Sequence, residues 1–503
     1  MKTKKYLHAF LLIVFLMGLV SCKKDLGNYT YTELNALSEI KNMPKVLVAS
    51  YGKRIIFDPE VVFSKDADFD ESKYEFEWSY IENLAISRIK TFSNTKKLDM
   101  IMQIEPSIYD AYYSITDKAS GVKYTTRFSL HVVNEINEGW MMMTEANGRA
   151  RADMLSLNTK NEFDVITDIL SNVGSQLKLD GKPVMTYTYN TGLLIGPDSI
   201  RYGAYLGTDK TTTKVSRNNF KWTSTMDLKY EMFGNVSEDF YADVIQQQSN
   251  RAAFMIGKNK AYYFSGVQGI FYSVPISYIS AEQKGFEVEP FIGGDYFMPG
   301  AIAVFYDKTN RRFVKYSGTG PSCSVIPDPP AARRLFSFST GMDLAYMRYI
   351  SFNGGEIFSI LKSGGKRYLA RFNPNNNVQT YYAEITGTDI SRAEFYAISP
   401  DYGYIFYAIG GKVYEYDMIY KSSKLMLDFG NRRVSYLNFY EFKNTRKYKD
   451  GNKLMVGTYD PTIIDGTEGF LNTYIVPGIN ADLIPDRSFS GFGRIKSLTY
   501  LEF

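Results

Sequence analysis

From Gly139 to the end of the 503-residue chain one unit recurs: an apolar strand, a tight polar or glycine turn, and a second strand rich in Tyr and Phe. It is seen in GWMMMTEANGRARADMLSL, GLLIGPDSIRYGAYL, AAFMIGKNKAYYFSG and IAVFYDKTNRRFVKY, and again in EIFSILKSGGKRYLARF, GYIFYAIGGKVYEYD and KLMVGTYDPTIIDGTEGFLNTYIV. The turns centre near Asn147, Pro197, Asn259, Thr309, Gly364, Gly410 and Asp460, six intervals over 313 residues, or about 52 apiece. A lone hairpin cannot bury its apolar face, so such units must stack on one another. A repeat of this length predicts a β-propeller over residues 137–503, with seven hairpins giving seven blades. The final SFSGFGRIKSLTYLEF reads as a strand that closes the ring against the first blade. Little here looks helical, and QQQSN and SAEQK read as loops.

Residues 45–136 carry a different pattern. Period-two alternation runs through KVLVASYGKRIIFDP, YEFEWSYIE, AYYSITD and KYTTRFSLHVV, with turn clusters DPE and DKASG between. In YEFEWSY the side chains of Tyr74, Phe76, Trp78 and Tyr80 fall on one face, as a half-buried strand requires. The segment is sized for a small β-sandwich of the immunoglobulin type. The whole chain is therefore expected to be all-β.

The N-terminus sets location. MKTKK is a basic start, and Tyr6 to Val20 form an apolar run broken only by His8 and Gly18, the layout of a secretory signal over residues 1–21. Leu19-Val20-Ser21-Cys22 matches a lipobox, which makes Cys22 the residue that carries lipid and begins the mature chain. Acyl chains, at about 0.8 kcal/mol per buried CH₂, would anchor the protein with no spanning helix. Residues 22–44, polar and without apolar periodicity, read as a tether and lead-in. No later run is long and apolar enough to span a membrane, so the rest is expected to be soluble.

Composition excludes several chemistries. Without residues 1–21 the chain holds 55 basic and 54 acidic groups, which gives no reason to expect nucleic acid or a strongly anionic ligand. Cys323 has no partner once Cys22 is lipidated, so no disulfide framework forms. His131 is the one histidine after the signal, inside a strand-like run, which argues against His-based zinc sites and Ser-His-Asp triads.

After Cys22 the chain reads KKDLGNYTY, and Asp25, Gly27, Asn28, Tyr29 and Tyr31 stand at a family spacing from the cysteine. The stretch resembles the start of the PKD-like lipoproteins of Bacteroidota. The resemblance implies a PKD-type domain carrying YEFEW, then a propeller opening at EGW and ending near GFGRI. It also implies a place in a Sus-type uptake system, beside a TonB-dependent outer-membrane transporter and its partner lipoprotein. It supplies no catalytic or ligand residues. KKD is a partial match to the surface-export signal of such proteins and favours the extracellular face.

Asp66, Asp68, Asp70 and Glu77 approach calcium-loop spacing, but Glu71 stands where the turn needs glycine, so an acidic solvated loop is the better reading. SCSVIPDPPAARR interrupts the repeat and holds Cys323, a thiol that needs a basic partner to be reactive and reads as inert. Asp198-Ser199-Ile200 resembles an O-glycosylation site of these bacteria. Tyr262, Tyr263, Phe264, Tyr381, Tyr382, Tyr414 and Tyr416 have the residue type to stack on sugars and the strand spacing of inter-sheet core. The expectation is a non-catalytic, outer-membrane-anchored binding protein without metal or cofactor, capturing an oligosaccharide or peptide or docking on its transporter. The alternatives are a propeller-fold glycan-degrading enzyme acting through paired carboxylates, and a purely structural subunit of the transporter complex.

Overall fold

The computed structural model describes residues 34–502, apart from 67, 84–87, 135, 137, 159, 192–201, 218, 235, 250, 296–301, 319, 443–446 and 449–450. The signal, Cys22, the KKDLGNYTY motif and Asp198-Ser199-Ile200 lie outside the described residues. The chain divides into two compact units, the first ending at Val132 and the second running from Val133 onward with Glu105–Ser107.

The first unit has a five-stranded sheet in the spatial order Val46–Ser50, Lys123–Val133, Ser107–Asp117, Tyr74–Asn83, Arg88–Ser93. Two antiparallel ladders accompany it, Arg54–Phe57 with Leu98–Ile101 and Leu37–Ile40 with Val61–Phe63. Leu37–Ile40 lies inside the expected lead-in, yet already pairs as a strand. The alternation of YEFEWSY is realised: Tyr74, Phe76, Trp78 and Tyr80 are all buried in one core. Trp78 is fully enclosed, 4.2 Å from the Tyr113 ring and edge-on to Phe57 at 6.0 Å. Its indole N–H donates to the Thr95 carbonyl at 2.9 Å, so no polar atom of the ring is left without a partner.

The second unit is a β-propeller. Among its described residues, seven antiparallel sheets of three or four strands follow one another along the chain. Six of the seven sheets begin at their innermost strand: Pro183–Asn190, Val244–Ser249, Asp343–Ile350, Phe395–Ile398 and Arg433–Phe439, and in the fourth sheet an irregular inner segment that bridges to the next strand through Gly293 and Val304. The first sheet takes its inner strand from the far end of the chain. Arg494–Leu501 pairs with Gly139–Ala146, from Gly139 opposite Leu501 to Glu145 opposite Arg494, so the expected closing strand is observed. Gly139 adopts φ +142, and a Cβ there would stand 2.0 Å from the Leu155 carbonyl oxygen, so only glycine fits this start.

The closure is tied by Asp153, which is fully buried. Its carboxylate accepts from Thr144 at 2.9 Å, from Arg151 at 2.6 and 2.7 Å, and from the backbone N–H of Asp168 at 2.9 Å and of Gly493 at 3.1 Å. Buried charge is tolerated only when satisfied in this way.

Six of the seven expected turns fall between paired strands of their sheets. The exception is Pro197, which lies outside the described residues. In that second sheet Tyr202–Thr208 pairs with Thr212–Ser216, so the equivalent turn is at 209–211. QQQSN also requires correction. Gln246, Gln247 and Gln248 belong to the strand Val244–Ser249, whose polar composition conceals it from an apolar-periodicity reading. SAEQK is a 3₁₀ turn at Ser280–Glu282 followed by the two-residue strand Lys284–Gly285.

Candidate functional site: the central channel

Where the inner strands converge, a cavity of about 500 Å³ opens, lined by all seven sheets. That volume is within the roughly 300–1,000 Å³ typical of small-ligand sites. The inner strands alternate. Leu437 and Phe439 point into the core between sheets, while Tyr436, Asn438 and Tyr440 line the cavity. In the fifth sheet Met347 is buried, while Tyr346 and Arg348, also on the channel wall, are half-buried. Tyr187, Tyr202 and Tyr500 complete a wall of phenols, with Gln246, Gln247 and Asn190 between them.

Hydrogen bonds hold this wall in shape. Gln246 donates to the Gly294 carbonyl at 2.8 Å, and the backbone N–H of Gln247 donates to the Tyr187 hydroxyl at 2.9 Å. Thr188 donates to the Tyr500 carbonyl at 2.9 Å, and the Tyr500 N–H donates to the Tyr440 hydroxyl at 3.1 Å. Arg348 donates to Asn438 and stands 3.4 Å from Glu441, while Asn438 donates to the Tyr436 hydroxyl at 3.0 Å. The Tyr349 hydroxyl donates to Asp295 at 2.8 Å. Gly355, at φ +96, makes room for that phenol, since a Cβ there would lie 1.8 Å from its oxygen.

The channel phenols line the cavity and are half-buried or buried in protein. Burial pushes Tyr436 up to about 12 and raises Tyr187, Tyr346, Tyr440 and Tyr500 as well. Burial, with the bond to Asp295, raises Tyr349 too. All of them therefore stay neutral around pH 7 and offer a hydroxyl and a ring face. Burial also raises the Glu441 carboxyl, against the opposing pull of Arg348, and lowers the Lys496 ammonium, assisted by Arg494. The phenols and amides of the wall can stack rings and exchange hydrogen bonds with polar groups, beside the charged side chains of Asp243, Arg348, Glu441, Lys496 and Glu502.

None of the seven aromatics singled out from sequence lines this channel. Tyr262, Tyr263, Phe264 and Tyr416 are buried between sheets, and Tyr381, Tyr382 and Tyr414 pack against those cores. The residues that do line it were missed, although YLNFYE carries their signal: aromatic and amide positions alternating with apolar ones. The other candidates occupy structural roles. Asp66 accepts from Lys73 at 2.7 Å and Tyr74 at 3.1 Å, Asp70 caps a 3₁₀ turn, and Glu77 pairs with Lys123 at 2.6 Å. Among the described residues no three metal-binding side chains gather. His131 lies 3.0 Å from the Ser129 hydroxyl, and Cys323 is buried in the core between the third and fourth sheets, where burial pushes its thiol well up and leaves it unreactive.

The model of the PKD-like family matches residues 22–183, which takes in the described first unit and continues through the opening sheet of the propeller. No curated protein matches. Among solved structures, a quinonprotein alcohol dehydrogenase-like protein of Bacteroides thetaiotaomicron is 9% identical, with 93% of this chain and 100% of that one covered and a TM-score of 0.45. A putative 6-phosphogluconolactonase of Bacteroides fragilis is 10% identical, with coverage of 73% and 98% and a TM-score of 0.43. The extracellular domain of a putative one-component system of Bacteroides thetaiotaomicron is 9% identical, with coverage of 81% and 58% and a TM-score of 0.39. At this similarity none of those activities transfers to this chain.

Proposed function

We propose that the propeller captures a stretch of an oligomeric, uncharged nutrient, an oligosaccharide or a peptide, in its central channel without turning it over. The observation that carries this reading is the set of phenols and amides on the channel wall, most of them supplied by inner strands and fixed by hydrogen bonds. Such a wall stacks on sugar or peptide groups and meets their hydroxyls and amides, and its preorganisation lowers the ordering cost of binding. In this reading the chain is a lipoprotein held through Cys22 on the extracellular face of the outer membrane, beside a TonB-dependent transporter and its partner lipoprotein. Tethering there raises effective concentration and compensates for weak binding per module.

The test is calorimetry of the protein with panels of oligosaccharides and peptides, followed by product analysis of the same mixtures. Heat of binding that falls in Tyr436→Ala, with no new products, supports capture. Binding unchanged in that variant would overturn the channel as the site. A second reading, cleavage by paired carboxylates, is favoured by one observation: Glu441 is raised by burial, with Asp295 close enough to add to the effect. Steady product release abolished by Glu441→Gln would establish it in place of capture.

A further inference from the structure

The seven hairpin turns of the propeller repeat are unequal. Six are short: 147–148, 209–211, 258–259, 308–311, 364–365 and 410–411. The seventh, in the last sheet, is a loop of nine residues, 460–468, between the strands Leu454–Tyr459 and Gly469–Ile475. An extension of one turn adds chain that the repeat does not need, and such loops are where binding residues collect. This loop is held in shape. Asp460 accepts from the backbone N–H of Thr462 at 2.9 Å and from its hydroxyl at 2.6 Å. Gly466, at φ +86, sits against the first sheet's turn, where a Cβ would stand 3.3 Å from that of Ala146. Loop and turn together line a cavity of about 300 Å³, which also takes in Arg494.

Three charged side chains on the cavity wall make no ion pair and no side-chain hydrogen bond among the described residues. Arg494 opens the closing strand directly opposite Glu145, yet the two stay unpaired, and the guanidinium lies instead over the Tyr459 ring at 4.4 Å. Its Nε is buried and donates to nothing, and one oxygen of Glu468 is likewise buried and accepts from nothing. Glu145 meets Lys496 only through its longer-range field. The fourth charge, Asp460, spends an oxygen on Thr462 within the loop.

Two carboxylates and a guanidinium thus share one small cavity, none neutralised by another. Leaving them so is costly, and a ligand that answers both signs of charge removes that cost. A neutral polyol supplies hydrogen bonds without countercharge, and a simple amine leaves the guanidinium unmet. A zwitterion supplies both. Ile463, half-buried, and Ile464, 85% exposed, add an apolar wall.

We infer that this cavity takes a free α-amino acid with an apolar side chain, its ammonium toward Glu145 and Glu468, its carboxylate toward Arg494, and its side chain against Ile463 and Ile464. The volume of about 300 Å³ is at the small end of ligand sites and suits a single molecule of this size. The site is separate from the channel and stands or falls independently of channel capture.

Calorimetry of the protein at pH 7 would be recorded with L-leucine, L-leucinamide, 4-methylpentanoate and D-glucose. Leucinamide lacks the carboxylate and 4-methylpentanoate the ammonium, so each should bind about tenfold more weakly than leucine, the loss of one charge-assisted contact. Glucose should give no heat. Arg494→Gln and Glu468→Gln should each weaken leucine by about tenfold, and Arg494→Lys should recover part of the affinity. The channel variant Tyr436→Ala should leave it unchanged. Circular dichroism confirms folding of each variant, and Glu468, on the loop and outside the closing strand, decides the matter if Arg494→Gln does not fold. The inference is overturned if leucine gives no heat, or if leucinamide, 4-methylpentanoate or glucose binds as tightly as leucine. It is equally overturned if the folded cavity variants bind leucine like the parent, or if Tyr436→Ala abolishes leucine binding.

Discussion

The interface between the last and first propeller sheets and the interface between the third and fourth are built from the same kind of strand, yet they are packed differently. Between the third and fourth sheets fifteen residues are buried, including Phe254, Phe305 and Tyr316 with their rings in contact. Between the last and first sheets seven of the described residues are buried, and a cavity of about 400 Å³ remains. The difference is that the latter interface is also where the ring closes, and closure does not depend on apolar filling alone. It is held by the inner-strand ladder of Arg494–Leu501 on Gly139–Ala146 and by the buried Asp153, whose partners include a backbone N–H just before that last strand. Where hydrogen bonds do the joining, side chains are released from packing and space between the sheets can persist.

The largest effect should come from removing the closing strand. A chain ending before Arg494 leaves the inner edge of the first sheet unpaired, and the propeller should fail to fold, visible as loss of protection of residues 139–490 from limited proteolysis while the first unit stays resistant. A propeller that stays protected would show that apolar packing at this interface suffices.

Next is Asp153→Ala. It strands the Arg151 guanidinium and two backbone donors, at a cost of about 3–5 kcal/mol in thermal or denaturant unfolding. A loss below about 1 kcal/mol would mean that closure does not rest on this carboxylate.

A paired truncation sharpens the packing contrast. Phe254→Ala, in the filled interface, should cost about 3–5 kcal/mol. Phe489→Ala, half-buried beside the cavity, removes less covered area and should cost about 1–2 kcal/mol by the same reasoning. Equal losses would break the comparison.

The smallest expected effect is a pH dependence in the sixth sheet. Glu415 is buried, one of its oxygens has no hydrogen-bond partner, and burial, opposed by Lys424, raises its carboxyl to about 7. The folded state therefore holds a proton that the unfolded chain, at its ordinary value of 4.5, releases. Between those two pH values the Glu415 contribution to stability falls as pH rises, and above about 7 the burial penalty is fully present. Glu415→Gln should flatten that part of the melting profile and raise the melting temperature most at pH 8. Asp153, with all its bonds made, offers the contrast: two buried carboxylates, one satisfied and one not.

Much of this architecture was legible in the sequence. The strand–turn–strand repeat identified the propeller, six turn positions, and the closing strand, because outer hairpins are apolar on both faces and end in turn residues that local chemistry fixes. YEFEWSY identified the sandwich core for the same reason, since side-chain alternation is a local property. The inner strands were not legible. Gln246, Gln247 and YLNFYE line the channel on one side, so they lose the apolar periodicity on which such a reading depends. Which tyrosines line the channel and which fill the core was decided only by the convergence of seven strands distant in sequence, because the two sets have the same composition and the same spacing. The cavity beside Trp140 likewise exists only in the folded ring, where residues 140 and 489 are brought to opposite walls of one space by the pairing of the chain's last strand with its first propeller strand.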